Sequence, residues 1–116
     1  MPVTHDADYR VGLNTSCQVA AVATGNGTPM QMAGARRASF DVNGITTATI
    51  TWEATIDGTN YRGVSLMNQA GARAATATAD GVYMTPPEFP PMRAIRARIS
   101  AWTAGTINVI GLAQGA

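Results

Sequence analysis

Lysine does not occur in this chain, and histidine and cysteine occur once each. The single cysteine, Cys17, excludes an intrachain disulfide and a thiol-rich metal site. It lies in Ser16-Cys17-Gln18-Val19-Ala20, where a small buried hydrophobe is its expected role. The single histidine, His5, sits in a polar N-terminal stretch, so a triad or Cys–His centre is not expected. Charge is also scarce: 13% of the 116 residues are charged and 46% are hydrophobic. That is about half the usual charged share. A freely diffusing monomer normally carries more surface charge. Either partners cover much of the surface, or the surface is built from Thr, Ser, Asn and Gln. The net charge of +1 provides no concentrated basic patch, so nucleic acid is not an expected partner. No apolar run is long enough for a helical membrane span. The start of the chain lacks the basic-then-apolar pattern of a secretory signal, so neither a membrane nor a signal is expected.

What is present reads as β-structure in one domain. From Thr46 to Ile56 the chain alternates almost strictly. Ala48, Ile50, Trp52, Ala54 and Ile56 fall on one side, and Thr47, Thr49, Thr51, Glu53 and Thr55 on the other. Period 2 over eleven residues fits a half-buried strand and no helix. Asp57-Gly58-Thr59-Asn60 then supplies turn chemistry, and Tyr61 to Met67 resumes as the return strand. Further strands are expected over Gln18 to Thr24, Ala38 to Val42, Ala72 to Ala79, Val82 to Met84, Met92 to Trp102 and Thr106 to Ala113. Asn43-Gly44, Asp80-Gly81 and Ala104-Gly105 are the expected turns. Pro86-Pro87-Glu88-Phe89-Pro90-Pro91 cannot join the middle of a sheet, because four prolines lack the amide donor. It is expected to be a surface crossover or an interaction arm. The fold class is therefore all-β: an antiparallel β-sandwich, jelly-roll-like, of about seven to eight strands. An extended N-terminal arm over residues 1–15 precedes the sandwich domain of residues 16–116. Ile107, Val109, Ile110 and Leu112 place apolar residues on both faces of the last strand, which suits a central or interfacial position.

Few residues offer catalytic chemistry. His5, Asp6 and Asp8 form one polar cluster that is weak evidence for a metal site, and no metal or other cofactor is expected. Asp57 and Asp80 are accounted for by their turns. Glu53 is the one strand-borne acid with the potential to join a carboxylate pair, and no facing partner is evident. An enzyme is not expected. Gly25-Asn26-Gly27-Thr28 lacks the lysine and helix of a phosphate cradle. Trp52 belongs to the apolar side of its strand and reads as core. Trp102 falls on the side of Arg96, Arg98 and Ser100, and an aromatic among arginines is the composition of an interface hot spot. All eight basic residues are arginine, which makes bidentate contacts at interfaces. A GC-rich genome would also produce that bias.

Two segments together carry a resemblance. Thr49 to Tyr61, with Trp52-Glu53 and Asp57-Gly58-Thr59-Asn60-Tyr61, is the first. Met92 to Val109, with Arg96-Ala97-Arg98-Ile99-Ser100-Ala101 and Gly105-Thr106, is the second. Together they resemble small β-proteins of tailed phages and prophages, over roughly residues 38–113. The resemblance implies a virion component such as a capsid decoration or head protein, or a module of a tail or fibre. On that reading the chain decorates the outer capsid surface as a symmetric homo-oligomer, possibly a trimer, with the major capsid protein as partner. The expected contact residues are Tyr9, Arg10, Val11 and Leu13 of the arm, Pro87 and Phe89 of the crossover, and Arg96, Arg98 and Trp102. The alternative is a carbohydrate-binding module of a tail or fibre, with Trp102, Tyr83 and Tyr61 as stacking residues.

Overall fold

Two long strands organise the molecule. The computed structural model describes residues 13–114, and all the regular structure among them is β-strand. In chain order the strands are β1 (Leu13–Ala21), β2 (Met30–Gln31), β3 (Arg37–Thr55), β4 (Tyr61–Gly63), β5 (Leu66–Asn68), β6 (Arg73–Ala74), β7 (Thr76–Ala77), β8 (Gly81–Met84) and β9 (Ala94–Gln114). They form one antiparallel sheet in the order β1-β9-β3-β8-β5-β6, with β2 also against β9 and β4 and β7 also against β3. The expected all-β antiparallel architecture is present. Its layers come from a single sheet folded over on itself.

The fold-over follows from one distance. Phe40 and Trp52 lie on the same strand, twelve residues apart, which in extended chain is about 40 Å. Their ring centroids are 5.0 Å apart. β3 must therefore double back between them, and β9, paired with it from Arg37–Gln114 to Thr55–Ala94, doubles back in parallel. The crease is visible as register irregularities between Asn43 and Ile50. At its centre Gly44 (φ 92°) and Gly105 (φ 117°) press together. A Cβ on Gly44 would sit 1.8 Å from the Thr106 carbonyl oxygen, and one on Gly105 would sit 2.5 Å from that of Gly44. Asp80 pins the bend by accepting the Ile45 N–H at 2.8 Å.

This crease corrects the sequence reading. Asn43-Gly44 and Ala104-Gly105 are not hairpin turns; they are bends inside continuous strands. Turn chemistry signals a change of backbone direction, but here the partner strand bends at the same place and pairing is never broken off. The result is nine strands, two of them 19 and 21 residues long, where seven or eight short ones were expected. Tyr61 to Met67 is split instead: β4 pairs with one half of β3, while β5 pairs with β8. The β1 strand includes Leu13 to Thr15, paired with Ala113 to Gly111, so these three residues of the expected arm belong to the sheet. Tyr9, Arg10 and Val11 lie outside the described residues.

One core fills the space between the halves. Ala38, Phe40 and Val42 face inward from the first half of β3, and Ile50, Trp52 and Ala54 from the second. Ile95, Ala97, Ile99, Ile107 and Val109 do the same along β9. Trp52 is the hinge of this packing, touching Phe40 on one side and Tyr83, at 5.5 Å, on the other. Cys17 is buried as expected, and burial pushes its thiol up to about 11. Gln18 is buried too; its side-chain amide donates to the Ala97 carbonyl (2.8 Å) and to that of Gly25 (3.2 Å). It ties the strand edging the first half to β9 in the second.

The alternation from Ala48 to Ala54 holds, but it ends two residues earlier than the sequence suggests. Thr55 is buried and Ile56 is 74% exposed. Thr55 closes the turn: its hydroxyl accepts the Gly58 N–H at 2.9 Å and donates to Asp57 Oδ1 at 3.0 Å. A residue that joins the turn this way cannot also stand out from the sheet. Asp57 accepts further from the Thr59 and Asn60 amides, both at 2.8 Å, and from the Asn60 side chain. Those donors hold its carboxyl well below the usual carboxylate range.

Candidate functional site

The outer face of the second half, where β3, β9, β4 and β7 lie side by side, concentrates the polar chemistry. Register places Glu53 between Arg96 on β9 and Gly63 on β4, and Thr51 between Arg98 and Thr76. Directly opposed residues share a face. Arg96 reaches Glu53 Oε1 through Nε and Nη2, each at 2.8 Å. Arg98 gives its Nε to Glu53 Oε2 at 3.1 Å. The guanidinium of Arg96 also lies 3.9 Å over the ring centre of Tyr61, which caps the cluster from β4. Beside Arg98, the Thr51 and Ser100 hydroxyls are 2.7 Å apart.

Strand alternation brings Arg96, Arg98 and Glu53 together, two of them expected contact residues. Trp102 is not with them. Ile50 pairs with Ile99 and Thr49 with Ala101, so Ser100 is an extra residue on β9, and just beyond it the alternation switches sides, up to the next irregularities at the crease. Trp102 consequently pairs with Ala48, packs against the core margin and donates its indole N–H to the Gly105 carbonyl at 3.0 Å. Ala101, which continued alternation from Ile95, Ala97 and Ile99 would turn inward, is exposed for the same reason. A shallow groove of about 290 Å³ runs past Trp102, lined mainly by Thr46, Thr47, Thr49, Thr78 and Thr103. Tyr83 packs on Trp52, and the face of Tyr61 is covered by Arg96. The three aromatics therefore do not form one platform.

In the proline crossover, Phe89 packs partly against the core and its N–H closes a turn on the Pro86 carbonyl at 3.0 Å. Pro87 is exposed, and Glu88 pairs with Arg73. Leu13 starts β1 opposite Ala113. The crossover and β1 do not contribute to the Arg96–Glu53–Arg98 cluster.

Sequence reading missed a second feature, on the outer face of the first half. One cross-strand row runs Asn14–Leu112–Ser39–Met84–Met67–Arg73, and the next runs Ser16–Ile110–Asp41–Val82. Leu112 is 36% exposed and Ile110 47%. The apolar residues at both faces of the last strand hinted at it. Met67, Met84 and Val82 join only once β8 and β5 are known to pair alongside.

Two solved structures share this architecture. The SPBc2 prophage-derived protein YomS superposes with a TM-score of 0.77 over 87% of this chain and 90% of its own, at 13% identity. The PBSX exported protein XepA superposes with a TM-score of 0.78 and 14% identity, over 87% of this chain but 37% of its own. At these identities the likeness is one of fold, and this chain spans little more than a third of XepA. No protein-family model and no curated protein matches the sequence.

Proposed function

We propose that this chain is a phage-encoded structural protein that works by adhesion, and that it decorates the outer surface of a capsid as a symmetric homo-oligomer bound to the major capsid protein. The observation that carries the phage assignment is the fold shared with a prophage-derived protein along nearly the whole of both chains. The state of Glu53 supports adhesion over catalysis. Both of its oxygens are engaged by arginines, so this strand-borne acid is committed to an ion-pair cluster. Arg96, Arg98 and Tyr61 then present the residue types that dominate binding energy at protein interfaces. Many such modest sites on one symmetric shell bind with high avidity. The glycan alternative loses its platform, since Tyr61 and Tyr83 are occupied and Trp102 stands alone beside its groove.

The direct test is to label the protein in intact phage particles and locate it by electron microscopy. Label on the head surface is expected. Label confined to the tail, or absent from purified particles, overturns the decoration reading. Removing residues 1–12 is expected to abolish particle binding while β1 stays paired, since Leu13 opposes Ala113. Particles still decorated by the truncated chain would relieve the arm of its role.

A further inference from the structure

The polar face of the second half carries a charge ladder that is one acid short. Two guanidinium groups share one carboxylate, and Glu53 is their one ion-pair partner among the described residues. The two arginines are not equivalent. Arg96 is answered twice, by the paired contact to Oε1 and by the Tyr61 ring, and its side chain is 19% exposed. Arg98 spends only Nε, on the far oxygen of Glu53, and its side chain is 37% exposed. Its terminal nitrogens make no hydrogen bond to the described residues. A guanidinium offers five N–H donors in a planar fork, so most of this one's capacity points outward.

We propose that Arg98 receives the carboxylate of an acidic side chain on a protein partner, completing an alternating row Arg96–Glu53–Arg98–carboxylate. This inference rests on the reading that the chain works by adhering to a protein. Charge complementarity sets the sign, because the cluster carries one uncompensated positive charge. The geometry favours a carboxylate over a phosphate. A phosphate needs several donors around it, usually including backbone N–H groups, and inside a sheet those are consumed by the ladders. A carboxylate needs one fork, and the Thr51–Ser100 hydroxyl pair beside Arg98 leaves it a polar margin. Glu53 holds Arg98 by one end, which reduces the ordering needed when the partner arrives.

The test uses the full chain and three synthetic peptides of one threonine- and serine-rich sequence, carrying a central glutamate, glutamine or phosphoserine. The Arg98 Nε–Hε resonance is followed by NMR during titration. The glutamate peptide is expected to shift it saturably and to bind roughly tenfold more tightly than the glutamine peptide. Arg98→Gln should abolish the effect. Arg98→Lys, which keeps the charge and loses the fork, should weaken it by about tenfold, with both variants unfolding as cooperatively as the parent. Equal binding of the glutamine peptide, tighter binding of the phosphoserine peptide or of inorganic phosphate, or no saturable shift overturns the proposal. A chain absent from phage particles that still binds the glutamate peptide removes the capsid reading alone. A chain that decorates particles but ignores the peptide removes this inference alone.

Discussion

The same two strands, β3 and β9, build both halves of the folded sheet, yet the halves have opposite outer faces. Beyond the crease, outward positions carry Glu53, Thr51, Arg96, Arg98 and Ser100. Before it, the equivalent positions include Leu112 and Ile110, with Met84, Met67 and Val82 beside them. Inward positions are alike in the two halves, because they share one core. The contrast separates two demands on a strand. Burial fixes what faces in, and it says nothing about what faces out. The outer faces are thus where the halves diverge, polar and arginine-bearing on one half and on the other a mixture in which Leu112 and Ile110 stand exposed among polar neighbours.

The largest effect should come from removing the crease that lets the halves face each other. Gly44→Val places a branched side chain where the first carbon already meets the Thr106 carbonyl oxygen, at a φ that valine avoids. No flexible side chain can give way, since the obstacle is backbone. A loss above about 4 kcal/mol is expected, enough to prevent folding of a small domain. Circular dichroism and urea unfolding would check it. Gly34→Val, at a loop glycine with open space around it, is the control and should cost far less despite its own positive φ. A folded Gly44→Val protein would mean that the halves do not depend on this contact.

The legibility of the molecule divides along the same line. The alternation over Ala48 to Ala54 and over Ile95 to Ile99 gives the inner face directly, and with it the grouping of Arg96 and Arg98. Glu53 stood out as the strand-borne acid, although its role as the anion between two arginines needed the β3–β9 register. Local patterns fail wherever a bulge intervenes. Ser100 adds one residue to β9, and the residues just after it change sides until the later irregularities at the crease restore the first pattern, which is how Trp102 leaves the arginine face and Ala101 joins the outside. Gly44 and Gly105 show the same limit. A glycine after asparagine or alanine permits a turn, and only the partner strand decides whether the chain reverses or bends. On the outer face of the first half, Ile110 and Leu112 were the one hint; the rest needed the pairing of β8 and β5, because Met67 comes from one short strand and Val82 and Met84 from another.

On the polar half, Glu53→Gln should cost about 1–2 kcal/mol, since hydrogen bonds to a charged, largely covered group are lost and two arginines are left facing each other. Added salt should narrow the gap between parent and variant by screening that repulsion. Urea unfolding at low and high salt measures both quantities. A variant as stable as the parent at low salt would show that the ladder does not hold the fold together.

A smaller effect, confined to acid, belongs to the hairpin at the end of the same half. The Asp57 carboxyl titrates below its ordinary value of 3.8 in the folded protein, because Asn60, Thr59 and Thr55 donate to it. The unfolded chain therefore takes up that proton more readily. The stabilisation is complete above the ordinary value and fades as pH falls below it. Asp57→Asn should lower Tm at neutral pH, and the two Tm curves should converge toward acid. Amide exchange at Thr59 and Asn60 should accelerate in the variant at neutral pH. Parallel curves would show that the turn is held by its backbone instead.

The smallest effect tests the claim that the apolar outer row lies outside the core. Val109 and Ile110 are neighbours on β9, one fully buried and the other 47% exposed. Threonine keeps the β-branched shape that strands favour, so the same replacement at both sites isolates burial from backbone preference. Val109→Thr puts a hydroxyl among Cys17, Val42 and other core groups and should cost about 1–3 kcal/mol. Ile110→Thr leaves its hydroxyl in water between Ser16 and Asp41 and should change stability by about 0.5 kcal/mol or less. Urea midpoints of the two variants decide the matter. If Ile110→Thr proved as costly as Val109→Thr, the outer row would be contributing to the stability of the fold, and the two halves would differ less than their outward residues suggest.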